Sequence, residues 1–395
     1  MSRGRRRLVA LALAAAAAIA IGALAFRPLG DGAASRGHVP RATLAVSDAL
    51  GAGDVAGFAR ALGPRPFSFP DDHGPHPGFR TEWWYYTGNL ESAAGRHVGF
   101  QLTFFRTALA PPPRVTSAAR ASAWGASQLY LAHFALTDTA GGRFYAASRL
   151  SRDALGLSGA RARPFRVWLE DWSAVSEAAD SFPVRLRAAD GAVAIDLVLD
   201  RGKPVVLQGD RGWSSKGPEP GNASFYYSFT RMPARGTVRV GAESLTVAGL
   251  AWMDREWSTS ALGRDLAGWD WLALQLDDGR DLMVYQLRRR DGSADPLSGG
   301  TLIAVDGRAR PLGSQDVTLE VLEHWTSPTS RVRYPSRWRL AIAGAGLSLE
   351  IAPRLADQEL IVGTRYWEGA VRVQGSAGGQ PIAGRGYVEL VGYGE

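Results

Sequence analysis

WYYTGNLESAAGRHVGFQLTFFR, residues 84 to 106, and WLALQLDDGRDLMVYQLR, residues 271 to 288, are two versions of one pattern. Each begins with Trp, runs on with alternating side chains, turns at a Gly-Arg pair (Gly95-Arg96 and Gly279-Arg280) and returns to end in Arg106 or Arg288. Alternation with period two on both sides of a Gly turn is the mark of a β-hairpin. The arms differ in length by a few residues, which a bulge and a longer turn absorb. A hairpin that recurs in both halves of a chain predicts two related β domains, with the joint between Met232 and Gly241.

Outward from these hairpins the texture stays the same. After Pro64 the chain is a succession of short, aromatic-rich segments divided by Gly, Asp-Gly and Pro turns, among them Ser127 to Thr137, Phe165 to Trp172, Ala192 to Leu199, Ser224 to Met232, Leu245 to Trp252, Tyr366 to Gly375 and Gly384 to Val391. No long 3.6-period segment interrupts them, which argues against an α/β nucleotide fold. With roughly eight strands in each half, the economical closed form is an antiparallel barrel able to hold one apolar ligand; a pair of β-sandwiches is the competing form. The expected division is residues 1–25 as a signal peptide or membrane anchor, 26–63 as a linker with a short helix between Ala42 and Leu62, 64–240 as the first domain and 241–395 as the second.

Composition narrows the function. The chain of 395 residues has a formal charge of +7, of which four units come from Arg3, Arg5, Arg6 and Arg7, so the remainder is near neutral. Lys203 and Lys216 are the only lysines, and the arginines are scattered among acids, so nucleic-acid binding is not expected. The absence of Cys excludes thiol catalysis, disulfides and Cys-ligated metal centres. Basic residues followed by the apolar run Leu8 to Ala25, ending Ala23-Leu24-Ala25, read as a secretory signal or a retained anchor, and place the chain in the periplasm or outside the cell.

Several clusters carry candidate chemistry. Asp71, Asp72, His73 and His76 are metal-ligand types, but they sit among turn formers with no second cluster at ligand spacing. They are expected to tie an entry segment to a barrel rim, and neither a metal nor a cofactor is expected. In Glu82-Trp83-Trp84-Tyr85-Tyr86 the period of two puts Glu82, Trp84 and Tyr86 on one face and Trp83 with Tyr85 on the other; Glu82 is either paired, for example with Arg106, or raised in pKa and able to act as an acid. His133 shares a strand face with Leu129 and Leu131, where desolvation would hold it neutral, as a satisfied core residue or as a proton-transfer group. Asp254, Glu256 and Asp270 recur among Trp252, Trp257, Trp269 and Trp271, either as a catalytic mouth with Arg255 as partner or as an inter-domain salt-bridge network. Gly-x-Ser-x-Gly and His-Glu-x-x-His are absent, and the glycines from Gly51 to Gly57 lack dinucleotide-loop spacing.

The segments Phe69-Pro70-Asp71-Asp72-His73, Thr81 to Leu90, Ala132-His133-Phe134, Tyr226-Tyr227-Ser228, Trp252 to Glu256 and Gly268 to Trp271 together resemble the AttH-like branch of the carotenoid 1,2-hydratase (CrtC-like) family over about residues 65 to 392. The resemblance implies two lipocalin-like β-barrels in tandem. It also implies an apolar isoprenoid or acyl-lipid ligand lined by Glu82, Trp83, Trp84, Tyr86, Arg106, Tyr227, Trp252, Trp257, Trp269 and Trp271. Its hydratases protonate an alkene with a carboxylic acid, stabilise the cation on aromatic faces and capture it with water. Here the residue types for that chemistry are His133, Asp254, Glu256, Asp270 and Tyr285, while Arg255 and Leu287 stand where the hydratase pattern places a His and an acid. Two functions follow: a lipid carrier or envelope-assembly factor, serving a membrane transporter, or an acid-catalysing lyase or hydrolase.

Overall fold

The computed structural model describes residues 55–112, 126–179, 181–259, 262–263 and 265–394. The expected signal segment and most of the expected linker helix lie outside these; residues 55 to 62 form turns, not helix. The strands of the first sheet are β1 (Thr81–Ser92), β2 (His97–Ala108), β3 (Gln128–Asp138), β4 (Arg143–Arg152), β5 (Ser158–Ala162), β6 (Phe165–Leu169), β7 (Trp172–Ser176), β8 (Val184–Asp190), β9 (Val193–Leu199), β10 (Val206–Leu207), β11 (Trp213–Ser215), β12 (Ala223–Val240) and β13 (Glu243–Ser258). Those of the second are β14 (Leu266–Leu276), β15 (Asp281–Arg289), β16 (Gly299–Ile303), β17 (Ala309–Gly313), β18 (Thr318–Thr326), β19 (Arg333–Ile342), β20 (Leu347–Pro353), β21 (Glu359–Ile361), β22 (Arg365–Ala377) and β23 (Gln380–Val391).

Both sheets are antiparallel and barrel-like, one nearly closed and the other a half-barrel, so the lipocalin-like tandem is the architecture and the sandwich alternative falls away. The repeat has a topological meaning. In the first sheet the opening strand β1 pairs with β2 on one side and with the closing strand β13 on the other. In the second, β14 likewise pairs with β15 and with the closing strand β23. Each half thus bends its chain round until last meets first. Gly95 and Gly279, the turn glycines of the two matching hairpins, have φ of 77° and 88°, a region that residues with a Cβ avoid.

The border between the sheets differs from the expected one. Residues 232 to 241 run within β12 into its hairpin with β13, and β13 completes the first sheet by pairing β1 from Thr81↔Ser258 to Ser92↔Val247. The sheets part after Ser258. A Gly turn at 241–242 signals a hairpin and a domain border equally well, and only the long-range β1–β13 register separates the two.

Period-two alternation builds the cores. In β9, Val193, Ile195, Leu197 and Leu199 point inward and the residues between them outward. β1 departs from that rule because nearly every residue from Thr81 to Leu90 is buried: one face fills the first barrel and the other meets the second sheet. The first interior is packed with Trp84, Tyr86, Phe100, Trp172, Tyr227 and Trp257. A cavity inside it, beside His73, Tyr86 and Phe229, measures about 10 Å³, room for roughly one water. Among the described residues, the interior of the expected ligand-holding barrel is occupied in this half by packed aromatic side chains.

Candidate active site between the sheets

β12, β13, β1, β2 and β3 lie side by side, and their register lines up Ser228, Asp254, Tyr85, Thr103 and His133 in one row across five strands. The next row toward the strand ends is Tyr226, Glu256, Trp83, Phe105 and Leu131. Both rows lie on the face turned away from the first barrel's interior and toward the second sheet. There, Tyr285, Trp271, Glu389 and Glu368 form a matching row across β15, β14, β23 and β22.

Hydrogen bonds join the two faces. The Tyr85 hydroxyl donates to Glu368 Oε1 at 2.6 Å, His133 Nδ1 lies 2.7 Å from the Tyr366 hydroxyl, and Tyr366 also bonds Glu368. The indole N–H of Trp271 donates to the Tyr226 hydroxyl at 3.2 Å. Tyr226 donates in turn to Asp254 Oδ2 at 2.5 Å, while Ser228 and the Trp252 indole donate to Asp254 Oδ1 at 2.5 and 2.7 Å. Behind Ser228, Thr301 donates to Gln208, whose amide donates to Ser228. Trp252 and Tyr85 both meet the Trp271 ring edge-on, at 6.2 and 5.2 Å between centroids. Half-buried Trp83, Phe105, Leu131, Trp269 and Tyr285 complete an aromatic and apolar rim.

Electrostatics set this cluster apart. Burial raises Asp254 to about 7, its three neutral donors only partly offsetting the loss of water. Burial and the neighbouring Glu389 charge push Glu368 well up, and Glu389, paired directly opposite it, is raised by desolvation and by the charges of Asp254 and Glu256. Asp254, Glu368 and Glu389 are hydrogen-bonded by Tyr, Ser or Trp, and among the described residues none has a cationic partner. His133 is pushed down to about 3 by burial and is neutral; its Nε2 is buried without a partner. Lys216 is ion-paired to Glu256 at 3.1 Å, between the rings of Tyr226 and Tyr285. Carboxylic acids that stay protonated near neutrality beside π-faces can deliver and recover protons in an apolar space.

The structure brings His133, Asp254, Glu256, Tyr285, Trp83, Trp252, Trp269 and Trp271 to this face. It sends the other sequence-derived candidates elsewhere. Glu82, Trp84, Tyr86, Arg106, Tyr227 and Trp257 lie in the first barrel's interior, so Glu82 and Trp84 do not face the Asp254 cluster; their neighbours Trp83 and Tyr85 do. Glu82 forms buried ion pairs with Arg106 and Arg255 that hold its carboxyl far below the usual range against the pull of burial. Arg255 is therefore the partner of Glu82, stacked 4.0 Å over Trp84, and not of Asp254 or Glu256 beside it in sequence. Asp270 also faces away, accepting from Arg288 Nε at 2.8 Å and from Tyr393 at 3.0 Å. In each case adjacent residues of a strand point to opposite faces.

The entry segment is tied down as expected. His73 Nδ1 lies 2.6 Å from the Tyr227 hydroxyl, His76 bridges Asp72 and Glu82, and Asp71 pairs with Arg163. Sequence reasoning missed Glu368, Glu389, Tyr366 and Tyr85 as site residues. Glu368 and Glu389 are single acids within otherwise apolar strands, Tyr-Trp-Glu-Gly-Ala-Val and Tyr-Val-Glu-Leu-Val, and that isolation was the available signal.

Comparison with known proteins places the fold. The AttH-like family model matches residues 60–393. The crystal structure of a putative AttH from Nitrosomonas europaea is similar at 36% identity and a TM-score of 0.74, covering 85% of this chain and 100% of that one. Kievitone hydratase from Nectria haematococca is similar in fold at 16% identity and a TM-score of 0.63, covering 86% of this chain and 98% of its own. CghA in complex with Sch210972 is similar at 16% identity and a TM-score of 0.52, covering 86% and 97%. No curated protein sequence matches the chain.

Proposed function

Because this chain belongs to the AttH-like family, whose fold a hydratase shares, we propose that it is an acid–base enzyme of the hydro-lyase type that adds water to an electron-rich C=C bond of an apolar, isoprenoid- or acyl-like substrate held between the two sheets. The observation that carries this reading is the trio Asp254, Glu368 and Glu389, buried or partly buried and without an ion-pair partner among the described residues. Other buried carboxylates mostly look different: Glu82 has two arginines, Asp270 has Arg288, and Asp281 has Arg231 and Lys203, while Glu359, away from this interface, is a lone acid held by Ser327, Ser330 and Tyr334.

The two facing rows divide the work. Glu389 is partly accessible and held protonated, with Glu368 beside it. It donates its proton to one alkene carbon, and the positive charge that develops on the other carbon lies among Trp83, Trp252, Trp271 and Tyr85, whose ring faces attract cations. Water attacks that carbon and gives up a proton to Asp254, whose pKa of about 7 matches a base working near neutrality. One proton passes from Glu389 to the alkene and one from the water to Asp254; exchange with solvent returns a proton to Glu389 and removes one from Asp254, so the sum is alkene plus water to alcohol. His133, through Tyr366, fixes the Glu368 carboxyl. The filled first barrel does not favour the carrier reading.

The test is incubation of the purified protein with trisubstituted alkenes of isoprenoid type and unsaturated acyl chains in ¹⁸O-labelled water. The reading predicts one labelled hydroxyl in the product, lost in Asp254→Asn and Glu389→Gln and kept in Asp270→Asn. Unlabelled product, or labelling unchanged in the two site variants, contradicts it.

A further inference from the structure

Four of the large hydrophobic side chains that stand in water gather at one corner of the first sheet, away from the cleft's interior. Leu109, Leu150, Leu155 and Leu157 are 54%, 67%, 58% and 46% exposed. The chain brings them together from three elements: Leu109 follows the end of β2 and bonds Ser127 at the start of β3, Ser127 bonds Asp153, and Leu155 and Leu157 form the turn that follows β4. Leu155 holds a φ of 54°, a left-handed conformation that a leucine adopts at a cost. An exposed leucine in a strained turn is unfavourable twice over, so something outside the described residues is expected to repay it.

Two further observations say what. First, the surrounding stretch from Arg143 to Asp171 carries six arginines against three acids, and the exposed Arg152 and Arg161 flank the leucines with no ion pair among the described residues. The acids nearby are engaged: Glu170 and Asp171 with Arg149, Asp153 with Ser127. Second, the corner continues into the site. Leu150 lies opposite Leu131 on the strand face that carries His133, and Leu131 lies opposite Phe105, itself opposite Trp83 on the cleft rim. An apolar track thus runs across β4, β3, β2 and β1 from the exposed leucines to the acid cluster.

We propose that this corner docks on an anionic lipid bilayer, its leucines entering the headgroup boundary and Arg152 and Arg161 meeting lipid phosphates, so that the Leu150–Leu131–Phe105–Trp83 track opens to the membrane. A lipid surface satisfies both halves of the patch at once, apolar side chains below and unpaired guanidinium groups at headgroup level. The docking stands without the hydration chemistry; it gives the facing rows between the sheets access to molecules dissolved in lipid, whatever is done to them.

The chain has no Cys, so a single fluorophore reports one position in the full-length protein. Leu155→Cys and, as a reference on the second sheet's side, Val305→Cys (63% exposed in the parent) are labelled with an environment-sensitive dye and mixed with phosphatidylglycerol or phosphatidylcholine vesicles. Reading the two positions separately keeps attachment through the apolar run 8–25 from passing as docking. The proposal predicts a blue shift and protection from an aqueous quencher at position 155 on the anionic vesicles and none at position 305. Adding Arg152→Gln and Arg161→Gln should raise the half-saturating lipid concentration for the position-155 signal about tenfold or more. A position-155 dye that stays in water on anionic vesicles, equal responses at both positions, or an equal response on neutral vesicles overturns it.

Discussion

Replacing Asp254 with Asn keeps the shape of the side chain and removes its titration, and the consequence for stability can be worked from the structure. The carboxyl rises from 3.8 in the unfolded chain to about 7 in the fold because it is buried. A raised acid binds its proton more tightly when folded, so its contribution is intact below pH 3.8 and is lost as pH climbs to about 7, where it levels off. A shift of about three units at ~1.4 kcal/mol each amounts to about 4 kcal/mol. The Asn carbonyl can accept from Ser228 and Trp252 as Asp254 Oδ1 does, and its amide, like a protonated carboxyl, would donate to the Tyr226 oxygen in place of the bond Tyr226 now donates, so the variant resembles the neutral state. The variant should therefore gain on the parent by about 3 kcal/mol between pH 4.5 and pH 8. Urea unfolding of both proteins at the two pH values measures this difference, and other titrating groups cancel in it. A pH-independent difference, or a variant that loses ground as pH rises, refutes a raised Asp254. Higher stability at pH 8 together with lost turnover would mark a residue retained for chemistry and not for the fold.

Other substitutions test the assignment of faces. Glu82→Gln leaves two buried guanidinium groups, Arg106 and Arg255, without their countercharge and should cost about 3–5 kcal/mol in urea unfolding. Because the folded Glu82 pKa is depressed, the parent should also lose stability as pH falls below about 4.5, and the variant should lose less over that range. Trp84→Ala, deleting a fully buried core side chain, should cost about 3–5 kcal/mol, whereas Trp83→Ala, half-buried on the cleft rim, should cost clearly less and impair turnover more. Asp270→Asn weakens the contacts with Arg288 and Tyr393 and should cost roughly 1.5–3 kcal/mol while leaving turnover per folded molecule intact.

Period two and the repeated hairpin made much of the fold legible. That Trp84 and Tyr86 share one face and Trp83 and Tyr85 the other followed from counting along a strand, and the Glu82–Arg106 pair was one of the two readings that their places in one hairpin allowed. Which face meets the chemistry did not follow, because β1 is buried on both sides and both faces read as aromatic. Asp254 and Glu256 were legible as a dense cluster, yet Arg255 between them belongs to the opposite face and to Glu82. Glu368 and Glu389 were invisible as a pair: they stand opposite each other across β22 and β23 and opposite Asp254 across the sheet interface, and no local pattern encodes either relation. Asp270 misled for the converse reason, a carboxylate next to two Trp residues that points into its own sheet's core.

The account's central claim is that carboxylic acids stay protonated between the two sheets near neutral pH. Infrared difference spectroscopy reads it directly, as the carbonyl stretch of a protonated carboxyl followed by pH titration. The account predicts such bands at pH 6 in the parent, one of them absent in Asp254→Asn and disappearing in the parent as pH passes about 7, and another absent in Glu389→Gln. A parent spectrum at pH 6 that shows only ionised carboxylates contradicts it.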